Sequence, residues 1–106
     1  MTSKQILNNA VNTTANTAQD LFTAGTSAVV IESFTATNNS TVNASYKAYI
    51  VSGGIEQPQI PFKIVVWGEN DLGIGIVNQV IPAGAQLKLE SSAINSIYFT
   101  ATGRTV

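Results

Sequence analysis

The feature that most constrains this fold is an alternation of apolar and polar residues that recurs in short stretches after residue 19. The clearest stretch is residues 41–52, in which every second position is apolar: Val42, Ala44, Tyr46, Ala48 and Ile50. Because successive side chains of a strand point to opposite faces, this period predicts an antiparallel strand with one buried face. Turn residues separate such stretches at roughly ten-residue spacing, so we predict an all-β, antiparallel β-sandwich or jelly roll of about seven or eight strands.

One predicted strand, residues 27–37, has an irregularity. Its alternation slips between Ile31 and Phe34, which predicts a β-bulge near residues 32–33. Asn38-Asn39-Ser40 follows it as a tight turn, since Asn tolerates the left-handed conformations that turns use.

The middle of the chain is interrupted by prolines. Pro58 and Pro61 have no backbone N–H to donate, so residues 57–61 are predicted to be a linker or a sheet edge. The following strand has an apolar face of Phe62, Ile64 and Val66, and this pattern assigns Phe62 to the core.

A further strand is predicted over residues 72–81. Its apolar side consists of four residues, namely Leu72, Ile74, Ile76 and Val80. Gly73 and Gly75 lie on the other side, and glycine inside a strand indicates a bulge or the close approach of another backbone.

The chain divides into two parts. Residues 1–18, rich in Asn, Thr and Ala, are predicted to be an N-terminal arm, and residues 19–106 a single sandwich domain. The arm carries Ile6, Leu7 and Val11 as its larger apolar residues. It either orders on a neighbouring molecule or is a frayed terminus, and the sequence leaves both interpretations open.

The surface of this chain is short of charge. Charged residues make up 10% of the sequence and the net charge is −1. Few charges remain to keep sheets apart, so we expect another protein to cover much of the surface. No basic patch is present, which argues against nucleic acid as a partner. The N-terminal 20 residues contain no apolar run that predicts a signal peptide or a membrane span, so we expect synthesis in the cytoplasm.

The residue types that most enzymes need are missing. The sequence has no His and no Cys, which excludes Ser–His and Cys–His nucleophiles and zinc sites that require those ligands. Glu69-Asn70-Asp71 offers oxygen ligands for calcium, but a solvated turn is the more usual role of such a segment. We therefore predict a non-catalytic protein with no metal and no cofactor.

The aromatic residues suggest where a partner binds. Tyr46 falls on the apolar face of its strand and is assigned to the core, whereas Tyr49 and Trp67 fall on the opposite faces of theirs. Trp and Tyr are enriched at binding hot spots, so both are candidate interface residues, together with Ile6, Leu7 and Val11 of the arm. The alternative is a platform of exposed aromatic residues that binds a glycan or a single strand of nucleic acid.

Several segments resemble small bacteriophage virion proteins. They are Ala28-Val29-Val30-Ile31-Glu32-Ser33 before the Asn-rich turn, Ile81-Pro82-Ala83-Gly84 before Leu87-Lys88-Leu89, and the alternating strand that ends at Gly103. Together they resemble β-sandwich capsid cement or decoration proteins, although the prolines at residues 57–61 depart from the plain hairpin expected there. The resemblance implies binding across subunits of the major capsid protein as a homo-oligomer, a dimer or trimer, in virions assembled in the host cytoplasm. A receptor- or carbohydrate-binding module of a tail or fibre is the alternative.

Overall fold

The computed structural model describes residues 5–11, 18–93 and 96–106, and for residues 5–11 it describes the backbone. In these ranges the chain forms nine β-strands and no helix: β1 (Gln5–Val11), β2 (Gln19–Thr23), β3 (Val29–Asn38), β4 (Ala44–Ser52), β5 (Ile55–Val65), β6 (Asn70–Asp71), β7 (Val80–Ile81), β8 (Gln86–Ser91) and β9 (Ile97–Thr105). The predicted all-β class is confirmed.

The strands form two antiparallel sheets, consistent with the predicted sandwich. The first sheet has the order β1-β9-β3-β6, and β7 also pairs with β3; the second has the order β2-β8-β4-β5. Neighbours in the sheets are mostly distant in the chain, apart from the β4–β5 hairpin. The described residues show no helix that is long and apolar enough to cross a membrane.

The core lies between the sheets and is centred on three aromatic rings. Phe34 of β3, Tyr46 of β4 and Phe99 of β9 are all buried, and their ring centroids lie 5.7–6.1 Å apart. Aromatic pairs at this separation stabilise a core beyond the apolar area that they bury. The prediction that Tyr46 belongs to the core is confirmed.

The bulge predicted in β3 is present. The β3–β9 register shifts between Ile31 and Ser33, where the sequence alternation slips. Gly103 pairs with Ile31 beside the bulge, and a Cβ atom at Gly103 would lie 2.3 Å from the Val30 carbonyl oxygen. A residue with any side chain would therefore disturb the β3–β9 pairing at this position.

Both prolines of the middle segment lie in β5, at the edge of the second sheet, so the edge interpretation is the correct one. The β4–β5 register shifts twice, and at each shift two residues of β5 stand opposite one of β4: Pro61 and Phe62 opposite Lys47, and Pro58 and Gln59 opposite Tyr49. Bulges on an edge strand are positions at which a missing N–H is tolerated.

The strand predicted over residues 72–81 is wrong. Within this range only Val80–Ile81 (β7) forms a strand, and the residues between β6 and β7 form turns and irregular structure. Gly73 and Asn78 have positive φ values of 60° and 70°, which reverse the chain in a way that a regular strand does not. Of the four predicted apolar residues, Ile76 is buried, whereas Leu72, Ile74 and Val80 are exposed.

At Gly75 this turn segment shows the close approach of another backbone that the sequence predicted, whereas Gly73 packs on a side chain. A Cβ atom at Gly73 would lie 2.3 Å from the Phe34 ring, and one at Gly75 would lie 3.1 Å from the Gln59 carbonyl oxygen. The segment therefore rests on β3 of one sheet and on β5 of the other, and it closes this side of the sandwich.

Part of the predicted N-terminal arm lies within the first sheet. Gln5–Val11 pairs with β9 as an edge strand, with an irregularity in the register between Ile6 and Asn8. The rest of the arm falls partly outside the described residues, and its docking on a neighbouring molecule stays a prediction.

Candidate protein-binding surface

Exposed apolar side chains are concentrated between residues 62 and 74. Six of them are exposed by the following fractions: Phe62 52%, Ile64 68%, Val66 42%, Trp67 58%, Leu72 61% and Ile74 83%. We call these six side chains the edge surface. Single exposed apolar residues are ordinary, but a group of this size is typical of an interaction site.

The pairing of β5 with β4 explains why Phe62 and Ile64 face outward. Val65 pairs with buried Ala44 and Lys63 pairs with buried Tyr46, so Val65 and Lys63 lie on the inner face of the sheet. Phe62 and Ile64 alternate with them and lie on the outer face. The assignment of Phe62 to the core is therefore wrong, because this strand has apolar residues on both faces and the larger apolar face is the outer one.

An ion pair joins β5 to β6. Lys63 Nζ lies 2.6 Å from Asp71 Oδ1, and the hydroxyl of Tyr46 and the N–H of Gly73 (3.0 Å) donate hydrogen bonds to Asp71 Oδ2. Phe62 and Ile64 are neighbours of Lys63 in the chain but lie on the opposite face of β5, so the ion pair fixes the backbone of the segment rather than contacting their side chains.

The electrostatics of this contact are those of a structural cluster. Burial by itself raises the pKa of Asp71, but the hydrogen bonds from Lys63, Tyr46 and Gly73 outweigh it and hold that pKa below its ordinary value. Burial, with the neighbouring Asp71 carboxylate, raises the pKa of Tyr46 far above its ordinary value. Both oxygens of Asp71 are engaged, and the described residues contain no group of three Asp, Glu, His or Cys side chains that could hold a metal.

Trp67 extends from a turn that hydrogen bonds fix in place. Its backbone N–H donates to Asn43 Oδ1 at 3.2 Å, and the N–H of Glu69 donates to the Val66 carbonyl at 3.0 Å. The backbone of Trp67 is thus held while its indole ring stays exposed. This position agrees with the prediction of Trp67 as an interface residue, which stays a prediction.

The buried side chain of Asn38 holds the loop that follows β3 through hydrogen bonds. Its Nδ2 atom donates to the carbonyls of Val42 and Val65, both at 2.9 Å, and its Oδ1 atom accepts from the N–H (2.9 Å) and the hydroxyl (2.7 Å) of Ser40. Since Asn38 ends β3 and Val65 ends β5, this side chain joins the two sheets at the end where Trp67 lies.

A groove of about 370 Å³ adjoins the edge surface, on the side of β3 where the described residues provide no strand partner between β6 and β7. Its lining residues are Glu32, Ser33, Phe34, Thr35, Leu72, Ile74, Val77 and Asn78. The carboxylate of Glu32 is paired with Arg104 at 2.9 Å, so the groove combines an apolar floor with a rim of neutral and charge-compensated groups.

Tyr49 contributes little to any exposed surface. It is 5% exposed, and Lys47 Nζ lies 4.7 Å from the centroid of its ring. Lys47 is itself paired with Glu56 at 2.5 Å. Burial raises the pKa of Tyr49. The outer face of the second sheet is thus covered in part by its own charged residues, which leave a partner little of Tyr49 to contact.

The three arm residues lie away from the edge surface. Ile6 pairs with Thr102 and Val11 pairs with Tyr98, while Leu7 falls at the irregularity in β1. Since β1 and β6 are at opposite ends of the first sheet, the structure does not bring the arm residues together with Trp67.

Five residues of the edge surface were missed by the sequence analysis as candidate site residues: Phe62, Ile64, Val66, Leu72 and Ile74. The available signal was the pair of prolines, which marks β5 as an edge strand, together with apolar residues on both of its faces.

Comparisons of the chain with protein-family models, with curated proteins and with solved structures gave no match.

Proposed function

We propose that this chain is a structural protein of a bacteriophage particle, a capsid cement or decoration protein that binds across neighbouring subunits of the major capsid protein. The observation that carries the proposal is the edge surface, with its six exposed apolar side chains. The resemblance of its turns and strands to phage virion proteins supplies the identity of the partner.

The size of the edge surface is adequate for such a contact. Each of the six side chains exposes on the order of 100 Å², which gives roughly 600 Å² per chain. Buried area does not convert directly into affinity, because association itself costs about 4–15 kcal/mol. Attachment at several sites of one lattice is tighter than attachment at a single site.

Side-chain burial is the proposed mode of contact. Pro58 and Pro61 remove two N–H groups from β5, and the turn at Gly75 rests against Gln59. Both features limit the pairing of a foreign strand along this edge. The partner therefore contacts the edge surface through its side chains.

A non-catalytic role fits the ionisable cluster. Tyr46, Lys63 and Asp71 fasten the turn segment to β4, and the ring of Tyr46 is buried in the core. These groups are arranged to hold the fold together, which is consistent with a binding protein.

The test is co-sedimentation with expanded capsids of the phage that encodes the chain. Trp67→Ser removes the largest exposed side chain of the edge surface, and Tyr98→Ser is its control, an exposed aromatic residue on the outer face of the first sheet. We expect binding at a fixed ratio to capsid subunits, weakened about tenfold or more by Trp67→Ser and unchanged by Tyr98→Ser. Equal binding by both variants would refute the role of the edge surface, and no binding by the wild type would refute the proposal.

A second candidate is a receptor- or carbohydrate-binding module of a tail or fibre. The groove favours it, because Glu32, Thr35 and Asn78 provide polar groups beside exposed Leu72 and Ile74. A glycan array distinguishes the two functions, since a cement protein is expected to bind no glycan.

A further inference from the structure

We infer that the groove beside β3 takes a short extended segment of the capsid subunit, which hydrogen-bonds to the backbone of Phe34 as an added strand. The inference rests on the proposed function and deepens it, because it names what the capsid subunit contributes next to the edge surface. It concerns the first sheet, whereas the prolines that limit strand pairing lie in β5 of the second sheet.

The backbone N–H and carbonyl of Phe34 point into the groove. Along an antiparallel strand, the backbone groups of successive residues point alternately to the two neighbouring strands. On the β6 side, the N–H of Asn38 donates to the Glu69 carbonyl at 2.9 Å, and the Asn38 carbonyl accepts from the N–H of Gly68 at 3.0 Å. The β3–β9 register is regular over residues 33–38, so Phe34, four residues before Asn38, faces the same side.

These two groups of Phe34 have no backbone partner in the part of the chain that the structure describes. β6 pairs with β3 no further than Ala36. The turn segment resumes contact at Ile31, whose N–H donates to the Gln79 carbonyl (2.9 Å) and whose carbonyl accepts from the Asn78 N–H (2.6 Å). Phe34 lies between these positions and is 2% exposed. Nearly all buried backbone polar groups are hydrogen-bonded, so this pair marks a place for the polar groups of a ligand.

A peptide backbone supplies both of the missing partners. Two opposite residues of an antiparallel pair exchange both N–H···O bonds, so one residue of an added strand satisfies both groups of Phe34. The stretch of β3 from Ile31 to Ala36 is roughly 16 Å long at about 3.3 Å per residue. It therefore accommodates about three residues of an extended segment, and the groove of about 370 Å³ is within the size range of binding pockets.

The capsid subunit is the occupant because the groove continues the edge surface. Leu72 and Ile74 belong to the edge surface and also line the groove, so a protein that covers the edge surface lies at the mouth of the groove. The carboxylate of Glu32, at the rim, is already paired with Arg104 at 2.9 Å. A charged side chain would find no free partner there, so we expect an uncharged segment with apolar or small side chains.

Two threonines of β3 make a matched pair of variants. Thr35 and Thr37 alternate with buried Phe34 and Ala36, so both lie on the outer face of the first sheet, and both are partly exposed. Thr35 lines the groove and Thr37 does not. Thr35→Tyr narrows the groove, whereas Thr37→Tyr adds the same ring to the same face outside it. Tyr is favoured in strands, and circular dichroism with thermal unfolding establishes that each variant is folded.

Co-sedimentation with expanded capsids compares the two variants. Thr35→Tyr should weaken binding about tenfold or more, and Thr37→Tyr should leave it unchanged. Equal binding by both variants would overturn the inference and leave the proposed function standing. If the wild type itself does not bind capsids, the proposed function is refuted and the capsid segment with it.

Hydrogen exchange of the Phe34 amide, measured by NMR, reports on the added bond itself. In the free chain this N–H should exchange at least tenfold faster than the Asn38 N–H, which donates to Glu69. On capsids its exchange should slow about tenfold or more, because the capsid segment accepts the bond. Equal protection of both amides in the free chain, or bound chains in which Phe34 exchanges as before, would overturn the inference. Protection of Phe34 by a glycan instead of by capsids would also overturn it and support the tail or fibre module.

Discussion

Gly103→Ala should destabilise this protein more than its small volume suggests. Gly103 lies in β9, and a Cβ atom there would lie 2.3 Å from the Val30 carbonyl oxygen, whereas ordinary contacts begin at 3.4 Å. The strands would have to separate by about 1 Å at this point. Val30 and Gly103 are backbone neighbours in the β3–β9 ladder, so the strain cannot be relieved by rotation of a side chain.

The magnitude follows from two opposing contributions. Overpacking costs about 1–3 kcal/mol, and a clash with backbone belongs to the upper part of this range. The substitution also restricts the unfolded chain, which raises the free energy of unfolding by about 0.4–1 kcal/mol. The expected loss in the free energy of unfolding is therefore about 2 kcal/mol, which corresponds to a fall in Tm of about 8–16 °C for a domain of this size.

Gly25→Ala is the matched control. A Cβ atom at Gly25 meets nothing within 4 Å, and Gly25 is not among the glycines with positive φ. Only the effect on the unfolded chain remains, so this variant should gain about 0.4–1 kcal/mol. Chemical denaturation with thermal scans measures both variants. If Gly103→Ala were as stable as Gly25→Ala, the close β3–β9 approach at Gly103 would be refuted.

Two further predictions concern polar groups inside the sandwich. Asn38→Ala removes four hydrogen bonds and leaves the Val65 carbonyl without this donor, so the free energy of unfolding in denaturant should fall by about 2–4 kcal/mol. Asn39 is exposed, so Asn39→Ala should lower it by less than about 0.5 kcal/mol. Equal losses would contradict the role of Asn38. The hydrogen bonds from Lys63, Tyr46 and Gly73 outweigh burial and hold the pKa of Asp71 below its ordinary value, so its carboxylate stabilises the fold above that ordinary pKa, and the contribution is lost as pH falls through the folded pKa. Thermal scans from about pH 5 to pH 2 should show a steeper loss for the wild type than for Asp71→Asn, and parallel curves would contradict the assignment.

The sequence was informative where one face of a strand is apolar and the other polar. The alternation in β4 fixed its buried face, including Tyr46, and the slip after Ile31 located the bulge in β3. In each case the pattern of buried and exposed positions is local, so it can be read from neighbouring residues alone.

Where both faces carry apolar residues, the local pattern was misleading. Phe62, Ile64 and Val66 form the more apolar face of their segment, but the pairing of β5 with β4 turns Val65 inward instead. Pairing between strands is a tertiary property and is not encoded in the period of one strand.

The strand predicted over residues 72–81 was wrong for a different reason. Their alternation imitates a strand, but Gly73 has a positive φ and packs on the ring of Phe34, 39 residues earlier in the chain. The position of that ring is tertiary information, which the local pattern does not contain. The edge surface depends on this turn and on the β5 register, which is why the sequence pointed to Trp67 alone among its six residues.

The place of β9 in the first sheet has a consequence for synthesis. β9 lies between β1 and β3 and pairs with both, although it follows every other strand in the chain. Until β9 has been made, β1 has no partner among the described strands and β3 can pair only with the two-residue strands β6 and β7, so the first sheet cannot be completed earlier. Such long-range pairing is slow to form. The newly made chain therefore passes through a period in which β1 and most of β3 are unpaired, and chaperones that hold unpaired strands should act on this protein during that interval.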